Sequence, residues 1–425
     1  MKISQRDKKY IWHPLTQAQI HEGNIAICKA KGVMLTDEDG KSYIDAIASW
    51  YTSMFGHCNK YILDKVQKQM QQLDQIVFAG FTHEPAVELS EALIKILPHS
   101  QTKLFFSDNG STANEVAIKM AIQYFYNKGQ KKQTLIAFEN AFHGDTFAAM
   151  SVSGLDVYNK PFKDMTLTVK KIPVPNEANY KTVVKMLEKT IKKGDIAAFI
   201  YEPLVQGANA MHMYKAEHLD GLLALCKEYE VLCIADEVMT GFGKTGKYFA
   251  SDYMQNQADI MCFSKALTAG FVPMALTTCS EKIYQAFLSD SIDTAFLHAH
   301  TYTANPIACS AALASIELLQ TEEIQNNTKL ICQLHKKFNQ KICQHPLVAS
   351  TRQCGVIFAL DLTTDMSRYG NKRNELFDFF MQKGVFLRPL GQTIYIVPAF
   401  VMSKRELSRI YIVIEELLEK LLNSN

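Results

Sequence analysis

Lys265 is the residue whose surroundings first suggest chemistry. It stands in the apolar stretch DIMCFSKALTAGFVP (259–273) and is the only cation between Lys247 and Lys282. One interpretation is structural: the stem of the side chain is buried and its ammonium group reaches water. The other interpretation is a nucleophile, because burial lowers the pKa of a lysine and the neutral amine attacks aldehydes. This second interpretation requires an aldehyde ligand and groups that hold it.

A candidate anion site lies in the segment SDNGSTANEVAIKMA (107–121). Apolar residues recur at helical spacing in its second half, and Thr112-x-x-Glu115 matches a capping box. The pattern predicts that Gly110, Ser111 and Thr112 lie at a helix N-terminus, where free N–H groups and the helix dipole favour an anion. An ordinary capped helix remains the alternative, since capping boxes are common.

A candidate acid, Asp236, ends the apolar run that precedes the lysine run. The usual role of an aspartate after a strand is a cap or a turn. The chain between Asp236 and Lys265 has room for one crossover, however, so both side chains can reach the same sheet edge. Together the three features predict pyridoxal phosphate. Lys265 would form a Schiff base with its aldehyde, Gly110–Thr112 would bind its phosphate, and Asp236 would keep its ring nitrogen protonated.

The segment FHGD (142–145) also follows an apolar run. Phe142 could stack on the pyridine ring and Asp145 could orient a neighbouring site residue. The alternatives are a core phenylalanine and a turn aspartate. No ligand spacing supports a metal site that combines this segment with His57 and Cys58, and the sequence predicts no metal.

Five short apolar runs must position these residues. Each is nearly continuous in apolar character, and most are separated by helix-length segments, which favours a mainly parallel sheet covered on both faces. Polar residues follow each run, and ligands bind outside the carboxyl ends of strands in open α/β sheets. The sequence therefore predicts an α/β domain over residues 52–325 with a site at one sheet edge. The runs are KLFF (103–106), TLIAF (134–138), IAAFIY (196–201), VLCIA (231–235) and IMCF (260–263).

The two chain ends are predicted to form a smaller α+β domain. Residues 326–425 contain helical patterns and three further apolar runs, and the last helix has a plausible N-cap at Ser403. Residues 1–51 include a hairpin over 33–46 that turns at Asp39-Gly40. We expect this N-terminal segment to pack with the smaller domain. The three runs are CGVIFALDL (354–362), GVFLRPL (384–390) and TIYIVPAF (393–400).

Composition limits the classes of partner. The chain has 425 residues, with 45 Lys plus Arg against 43 Asp plus Glu, so charge gives no reason to expect nucleic acid or an anionic membrane. Ten cysteines without a CxxC pair predict reduced thiols in a cytoplasmic protein. The start, MKISQRDKKY, lacks an apolar signal core, and no run is long enough to predict a membrane span.

The segments ADEVMTGFGKTGKYFA (235–250) and FSKALTAG (263–270) resemble the class III, fold-type I, pyridoxal-phosphate aminotransferases. Six further segments resemble one family within that class, the adenosylmethionine–8-amino-7-oxononanoate aminotransferases of biotin biosynthesis. The resemblance implies transfer of an amino group to 8-amino-7-oxononanoate, usually from S-adenosylmethionine. The six segments are IWHPLTQ (11–17), SWYTSMFGHCN (49–59), FFSDNGSTANEVAIKMAIQYF (105–125), AFHGDTFAAMSVSG (141–154), HAHTYTANPIAC (298–309) and FLRPLGQTIYIVPAF (386–400).

The resemblance also implies residue roles. Lys265 and Asp236 would be catalytic, Gly110 and Ser111 would bind the phosphate, and Phe142 would lie beside the cofactor. The family builds its site across a homodimer, so His300 and Thr301 would approach the phosphate of the partner subunit. The residues implied to line the substrate pocket are Leu15, Trp50, Tyr51, Phe142, Ala299, Arg388 and Tyr395. Among them, the planar fork of Arg388 would hold the substrate carboxylate.

Four positions depart from the family pattern. Phe142 replaces a frequent tyrosine, Leu15 an aromatic residue, Lys244 an arginine, and Ala299-His300 a Gly-Pro pair. These departures leave the donor open between S-adenosylmethionine and lysine.

Three other functions are weighed against this one. One is a different class III enzyme, an ω-amino-acid aminotransferase or an aminomutase, and another is a binding protein with a dead site. The last is a dehydrogenase whose phosphate loop would be GFGKTG (241–246), but this segment lacks the full glycine pattern.

Overall fold

The computed structural model describes residues 1–20, 23–364 and 366–423. Its α-helices within these residues are α1 (Ile3–Tyr10), α2 (Ala48–Tyr51), α3 (Lys60–Gln72), α4 (Glu84–Ile96), α5 (Gly110–Asn127), α6 (Phe147–Val152), α7 (Asp156–Asn159), α8 (Tyr180–Ile191), α9 (Ala216–Glu228), α10 (Glu281–Gln285), α11 (Pro306–Leu319), α12 (Glu322–Ile342), α13 (Asn371–Gln382) and α14 (Lys404–Leu422).

The strands fall into four sheets. In chain order they are β1 (Ile27–Lys31), β2 (Met34–Asp37), β3 (Ser42–Asp45), β4 (Lys103–Ser107), β5 (Thr134–Phe138), β6 (Val169–Ile172), β7 (Ile196–Tyr201), β8 (Val205–Gln206), β9 (His212–Met213), β10 (Leu232–Asp236), β11 (Ile260–Phe263), β12 (Ala275–Cys279), β13 (Val348–Cys354), β14 (Ile357–Leu362), β15 (Val385–Phe386) and β16 (Thr393–Ile396).

The central sheet has the order β4-β12-β11-β10-β7-β5-β6. Its strands are parallel except for β12, which runs antiparallel to both β4 and β11. All five predicted apolar runs are strands of this sheet, so the predicted α/β class with a mainly parallel sheet is confirmed. The strands β6 and β12 were not predicted.

Helices cover both faces of the sheet, which explains the continuous apolar runs. Alternate residues of β5 point to opposite faces. Leu135 and Ala137 join a core that includes the small residues of α5, such as Ala117. Ile136 and Phe138 join the larger core on the other face, with residues of α8, α9 and α11. Both faces of β5 are therefore buried.

The carboxyl ends of the parallel strands meet at one edge. β10 ends at Asp236, and β11 is followed by Ser264 and Lys265. β7 ends at Tyr201, directly before Glu202. Because these strands run in the same direction, their terminal polar side chains come together beside one cavity.

The chain ends meet in one smaller sheet, and the C-terminal region forms another. The predicted hairpin is present as the antiparallel pair β2–β3, and β15 from the C-terminal region pairs in parallel with β3. The other sheet has the order β13-β14-β16. α14 begins after Ser403, whose hydroxyl accepts from Glu406 N at 3.3 Å, as the predicted N-cap requires. The proposed boundaries at 51/52 and 325/326 remain predictions, and α12 runs through residue 325.

A search of the described residues found no helix with both the length and the apolar character needed to cross a membrane.

Candidate active site

Lys265 occupies a strained position directly after β11. Its φ is +51°, in the left-handed region that residues with a side chain seldom adopt, and this costs roughly 1–3 kcal/mol. The turn is held by the Ser264 hydroxyl, which donates to Met274 O at 2.8 Å. The side chain is half-buried and lines the cavity. The strained backbone at this turn thus directs the lysine side chain into the site.

The surroundings of Lys265 favour its neutral form. Burial lowers the pKa of its amine, and the carboxylate of Asp236 only partly opposes that effect. The Nζ atom lies 5.7 Å from the centre of the Tyr51 ring. A lowered pKa increases the fraction of neutral amine, which is the nucleophilic form.

Asp236 is buried and fixed by three hydrogen bonds. Its Oδ2 accepts from Asn114 Nδ2 at 2.9 Å and contacts His143 Nδ1 at 2.7 Å, so the imidazole donates here if Nδ1 carries its proton. Its Oδ1 accepts from Val238 N at 3.1 Å and keeps a free lone pair. Asn114 lies inside a helix, where no sequence pattern marked it. His143 had been considered only as a metal ligand.

The predicted helix N-terminus is present, but its cap differs from the prediction. α5 begins at Gly110 with Asn109 as N-cap, and the capping box joins Asn109 to Thr112. The predicted box from Thr112 to Glu115 is wrong. Glu115 instead accepts from Ala148 N at 2.6 Å, at the first turn of α6. The Glu115 carboxylate, which was predicted to cap its own helix, therefore bonds to α6 instead.

Two close approaches shape this helix terminus. A Cβ on Gly110 would lie 2.7 Å from Val238 Cγ1, so only glycine fits there. Gly144 has φ +128°, and a Cβ on it would collide with Ser111. The Ser111 hydroxyl lies 2.7 Å from Thr146 Oγ1 and accepts from Thr146 N at 3.0 Å. The terminus is thus a compact cradle of hydroxyls and N–H groups beside the cavity.

Glu202 is a buried carboxyl at the same edge, and no role was predicted for it. Its two oxygens accept from Phe142 N at 3.0 Å and from Gly207 N at 2.9 Å. Burial raises the pKa of Glu202 to about 8, and the nearby charge of Asp236 adds to the rise. Glu202 therefore carries a proton at neutral pH in the cofactor-free protein and positions the backbone on which Phe142 lies.

This carboxyl gives the fold a pH dependence. Its pKa is about 8 when folded against 4.5 for the free group, so the folded state holds a proton that the unfolded state releases between these values. Stability is lost as pH rises through that window, by up to about 5 kcal/mol. In the cofactor-free state, we expect the Tm of the parent to fall relative to that of Glu202→Gln as the pH rises from 5.5 to 8.5. Parallel Tm curves would contradict the shifted pKa.

One cavity of about 860 Å³ gathers most of the predicted residues. Those that line it are Leu15, Trp50, Tyr51, Gly110, Ser111, Phe142, Asp236, Lys265, Arg388 and Tyr395. Ala299, His300 and Thr301 do not line it. The cavity wall also contains residues that the sequence analysis did not select: Asn114, Tyr158, Glu202, Arg368, Tyr369 and Arg373.

The aromatic wall is built on an unusual turn. Ala48, Ser49, Trp50 and Tyr51 all have positive φ, between 44° and 70°, which is a left-handed turn of four residues. Each such residue costs roughly 1–2 kcal/mol. The buried carboxylate of Asp45 stabilises the turn by accepting from Ser49 Oγ at 2.8 Å. The turn carries Trp50, over which the Arg388 guanidinium lies at 5.1 Å from the ring centre.

The segment 299–301 lies away from this cavity. Ala299 and Thr301 are exposed, and Thr301 O accepts from Gln75 Nε2 at 2.8 Å. His300 Nε2 is buried, with no hydrogen-bond partner in the described part of the chain. Within one chain, then, these three residues do not contact the site.

Comparison with known proteins identifies the class. The family model for class III aminotransferases matches residues 16–418.

The chain belongs to the class III aminotransferases.

Several of its relatives carry a narrower name. It is 40% identical over 422 residues to an adenosylmethionine-8-amino-7-oxononanoate aminotransferase of Synechococcus elongatus, covering 97% of this chain and 99% of the relative. The crystal structure of an enzyme of that name from Methanocaldococcus jannaschii matches with a TM-score of 0.91 and 32% identity, over 97% and 98% of the two chains. An ω-transaminase of Pseudomonas jessenii in complex with PMP matches at 0.92 and 27%, over 99% and 98%.

Class III aminotransferases use pyridoxal 5′-phosphate, and the residues present in this aminotransferase fit that group. Asp236 keeps a lone pair on a fixed, buried carboxylate. The cradle at Gly110 and Ser111 offers hydroxyl and N–H donors for a phosphate. Lys265 supplies a half-buried amine with a lowered pKa on the same cavity.

Proposed function

We propose that this aminotransferase acts in biotin biosynthesis by transferring an amino group to 8-amino-7-oxononanoate, with 7,8-diaminononanoate as product. The donor loses its amino group and gains a carbonyl oxygen from water, while the acceptor ketone loses its oxygen as water and gains the amine. The names of the relatives that match nearly the whole chain support this reaction. The observation that carries the proposal is a single cavity that joins Lys265, Asp236 and Arg388.

Four residues would hold the cofactor. Lys265 Nζ would bond to its aldehyde carbon, Asp236 would pair with its ring nitrogen, and Gly110 and Ser111 would bind its phosphate. When bound, pyridoxal phosphate withdraws electrons from the carbon that carries the transferred amino group. Asn114 and His143 keep the Asp236 carboxylate in place, because both contact its Oδ2 atom.

Lys265 would also move the proton. Its Nζ, once released from the cofactor, would take the proton from the substrate carbon that carries the amine. It would deliver that proton to the former aldehyde carbon of the cofactor, on the other side of the nitrogen. The lowered pKa of Lys265 supports this role, because a base must be neutral before it accepts a proton. Tyr51 closes one side of the path, with its ring 5.7 Å from Nζ.

The substrate would lie against the aromatic wall. Arg388 would bind the carboxylate of 8-amino-7-oxononanoate through its planar fork, which matches two carboxylate oxygens. Trp50 and Tyr395 border the cavity beside Arg388, and Leu15 and Phe142 complete the apolar lining. Phe142 has no hydroxyl, so its contribution is stacking and shape alone.

We propose a homodimer in which segment 299–301 serves the partner's site. Ala299, His300 and Thr301 do not line their own cavity, which supports a role elsewhere. The hydrogen bond from Gln75 to Thr301 brings two segments together, and these segments expose several large apolar residues. Several large exposed apolar residues on neighbouring segments favour an interface. The exposed residues are Val77, Phe81, Leu297 and Tyr302.

We also propose a cytoplasmic location. The ten cysteines are all free, and several are buried, which suits a reducing compartment.

A different class III activity on ω-amino acids is the second candidate. Several solved ω-transaminases match this chain with TM-scores of 0.92 or 0.93, and this observation favours the candidate.

An absorbance experiment separates the two candidates. Protein loaded with pyridoxal phosphate is treated with S-adenosylmethionine or lysine alone, and then with 8-amino-7-oxononanoate. We expect the near-visible band of the lysine-bound cofactor to disappear with one of these donors and to return with the acceptor. Return of the band only with simple keto acids would favour the ω-amino-acid activity. Folded protein without any band would overturn the cofactor assignment.

A further inference from the structure

Three arginines line the cavity without a carboxylate partner among the described residues. They are Arg368, Arg373 and Arg388. Within the described residues, the arginine ion pairs belong to Arg352 and Arg409, both elsewhere. A cluster of unpaired guanidinium groups in one cavity indicates that anionic ligands bind there.

The three arginines form two groups. Arg388 lies over Trp50, and Arg373 is beside it, with Nε donating to Pro389 O at 3.1 Å. The pKa of Arg373 is lowered by burial and by the charge of Arg388, which places these two close together. Arg368 makes different contacts, with its Nη1 donating to Ala208 O at 2.8 Å. The two groups therefore offer positive charge in different surroundings within one cavity.

Arg368 sits among aromatic hydroxyls next to Phe142. Its guanidinium carbon lies 5.6 Å from the centre of the Tyr158 ring and 6.0 Å from that of Tyr369. The two phenol oxygens are 2.8 Å apart. The Tyr158 ring meets Phe142 edge-on, with centres 5.7 Å apart. Tyr158 thus connects Arg368 to Phe142, the residue proposed to stack on the cofactor.

The group around Arg368 keeps one buried donor that has no acceptor within the described residues. Arg368 Nε is buried and makes no hydrogen bond within the described residues. Burial raises the pKa of Tyr158 to about 12, so its phenol stays protonated at neutral pH. Buried donors are nearly always paired in folded proteins, and an unpaired one marks a place for a ligand or water. A guanidinium with adjacent phenols suits a carboxylate.

We propose that Arg368, with Tyr158 and Tyr369, binds the carboxylate of the amino donor, while Arg388 binds the carboxylate of the acceptor. This inference rests on the proposed function, in which the two substrates enter the same cavity in turn. Both candidate donors, S-adenosylmethionine and lysine, are α-amino acids, so each has a carboxylate next to its α-amine. The acceptor carries its carboxylate at the far end of a chain. Two arginine positions allow each carboxylate its own partner.

The test measures the two half-reactions separately in Arg368→Gln, Arg388→Gln and the parent. Spectral titration gives the apparent Kd of the donor from the loss of the near-visible band. The return of the same band gives the apparent Kd of the acceptor. We expect Arg368→Gln to raise the Kd of the donor about 10- to 100-fold, since a charged hydrogen bond is lost. The Kd of the acceptor should stay within about twofold. Arg388→Gln should show the opposite pattern.

Two controls separate carboxylate binding from general damage. Lysinamide or S-adenosylmethionine carboxamide lacks the carboxylate, so its Kd should be the same in Arg368→Gln and the parent. Arg405→Gln removes an exposed arginine that does not line the cavity, and both of its half-reactions should match the parent. Equal Tm values exclude misfolding.

The outcomes distinguish this inference from the function on which it rests. An active parent with unchanged donor Kd in Arg368→Gln would overturn the inference alone. Loss of both substrates in Arg388→Gln alone would show that one arginine serves both carboxylates, and would also overturn it. A parent that takes an amino group from no donor would overturn the proposed function and this inference with it.

Discussion

Replacing Lys265 with alanine is expected to abolish turnover, with a fall in kcat of about 10⁴-fold or more. The amine would be lost both as the attachment point of the cofactor and as the group that moves the proton. The near-visible band of the bound cofactor should disappear as well. Lys265→Arg keeps a positive charge but has no neutral amine at neutral pH, so it should fail in the same way. Retained activity in Lys265→Arg would show that charge alone suffices.

Chemical trapping makes this prediction specific for one lysine. Burial also lowers the pKa of Lys171 and Lys244 to about 7, so a lowered pKa does not distinguish Lys265. Neither of the other two lysines lines the cavity. After borohydride reduction of the loaded protein, mass spectrometry should find the cofactor on the peptide that contains Lys265. Lys337→Ala removes an exposed lysine of α12 and should keep both activity and absorbance.

Most strands that the sequence predicted in the central sheet are buried on both faces. β5, β7 and β11 are apolar at nearly every position, so they appear as continuous runs. β12 is equally buried but contains Thr277 and Thr278, whose hydroxyls donate to Ala113 O at 2.9 Å and to Gln101 Oε1 at 2.7 Å. These acceptors are known only from the folded structure. In the sequence, the two threonines make the β12 segment look polar. β6 is an edge strand with lysines.

The same difference between local sequence pattern and tertiary contact applies to the site residues. Lys265 and Asp236 were found because each stands directly after an apolar run, where a strand ends. Asn114 acts through a tertiary hydrogen bond from the middle of a helix, and no local pattern marks such a residue. Arg368 lies in an irregular segment between β14 and α13. Its approach to Ala208 and Tyr158 depends on how distant parts of the chain pack.

Replacing Asp236 with asparagine is expected to lower kcat about 10²- to 10³-fold, a second large effect. The carboxylate would stabilise a proton on the cofactor ring nitrogen through opposite charge, whereas a neutral amide cannot. Asparagine has nearly the same shape, and its oxygen can still accept from His143 and Asn114. The fold and cofactor binding should therefore change less than the rate. Stopped-flow absorbance of the donor half-reaction measures the loss.

A modified cofactor tests the physical reason for that loss. Pyridoxal phosphate with a methyl group on the ring nitrogen carries a permanent positive charge and needs no proton. If Asp236 acts by keeping the nitrogen charged, this analogue should raise the rate of Asp236→Asn at least about tenfold. Its effect on the parent should be smaller, because there the nitrogen is already charged. No rescue, with the analogue bound, would mean that Asp236 acts by positioning the ring, since its carboxylate is held rigidly by His143 and Asn114.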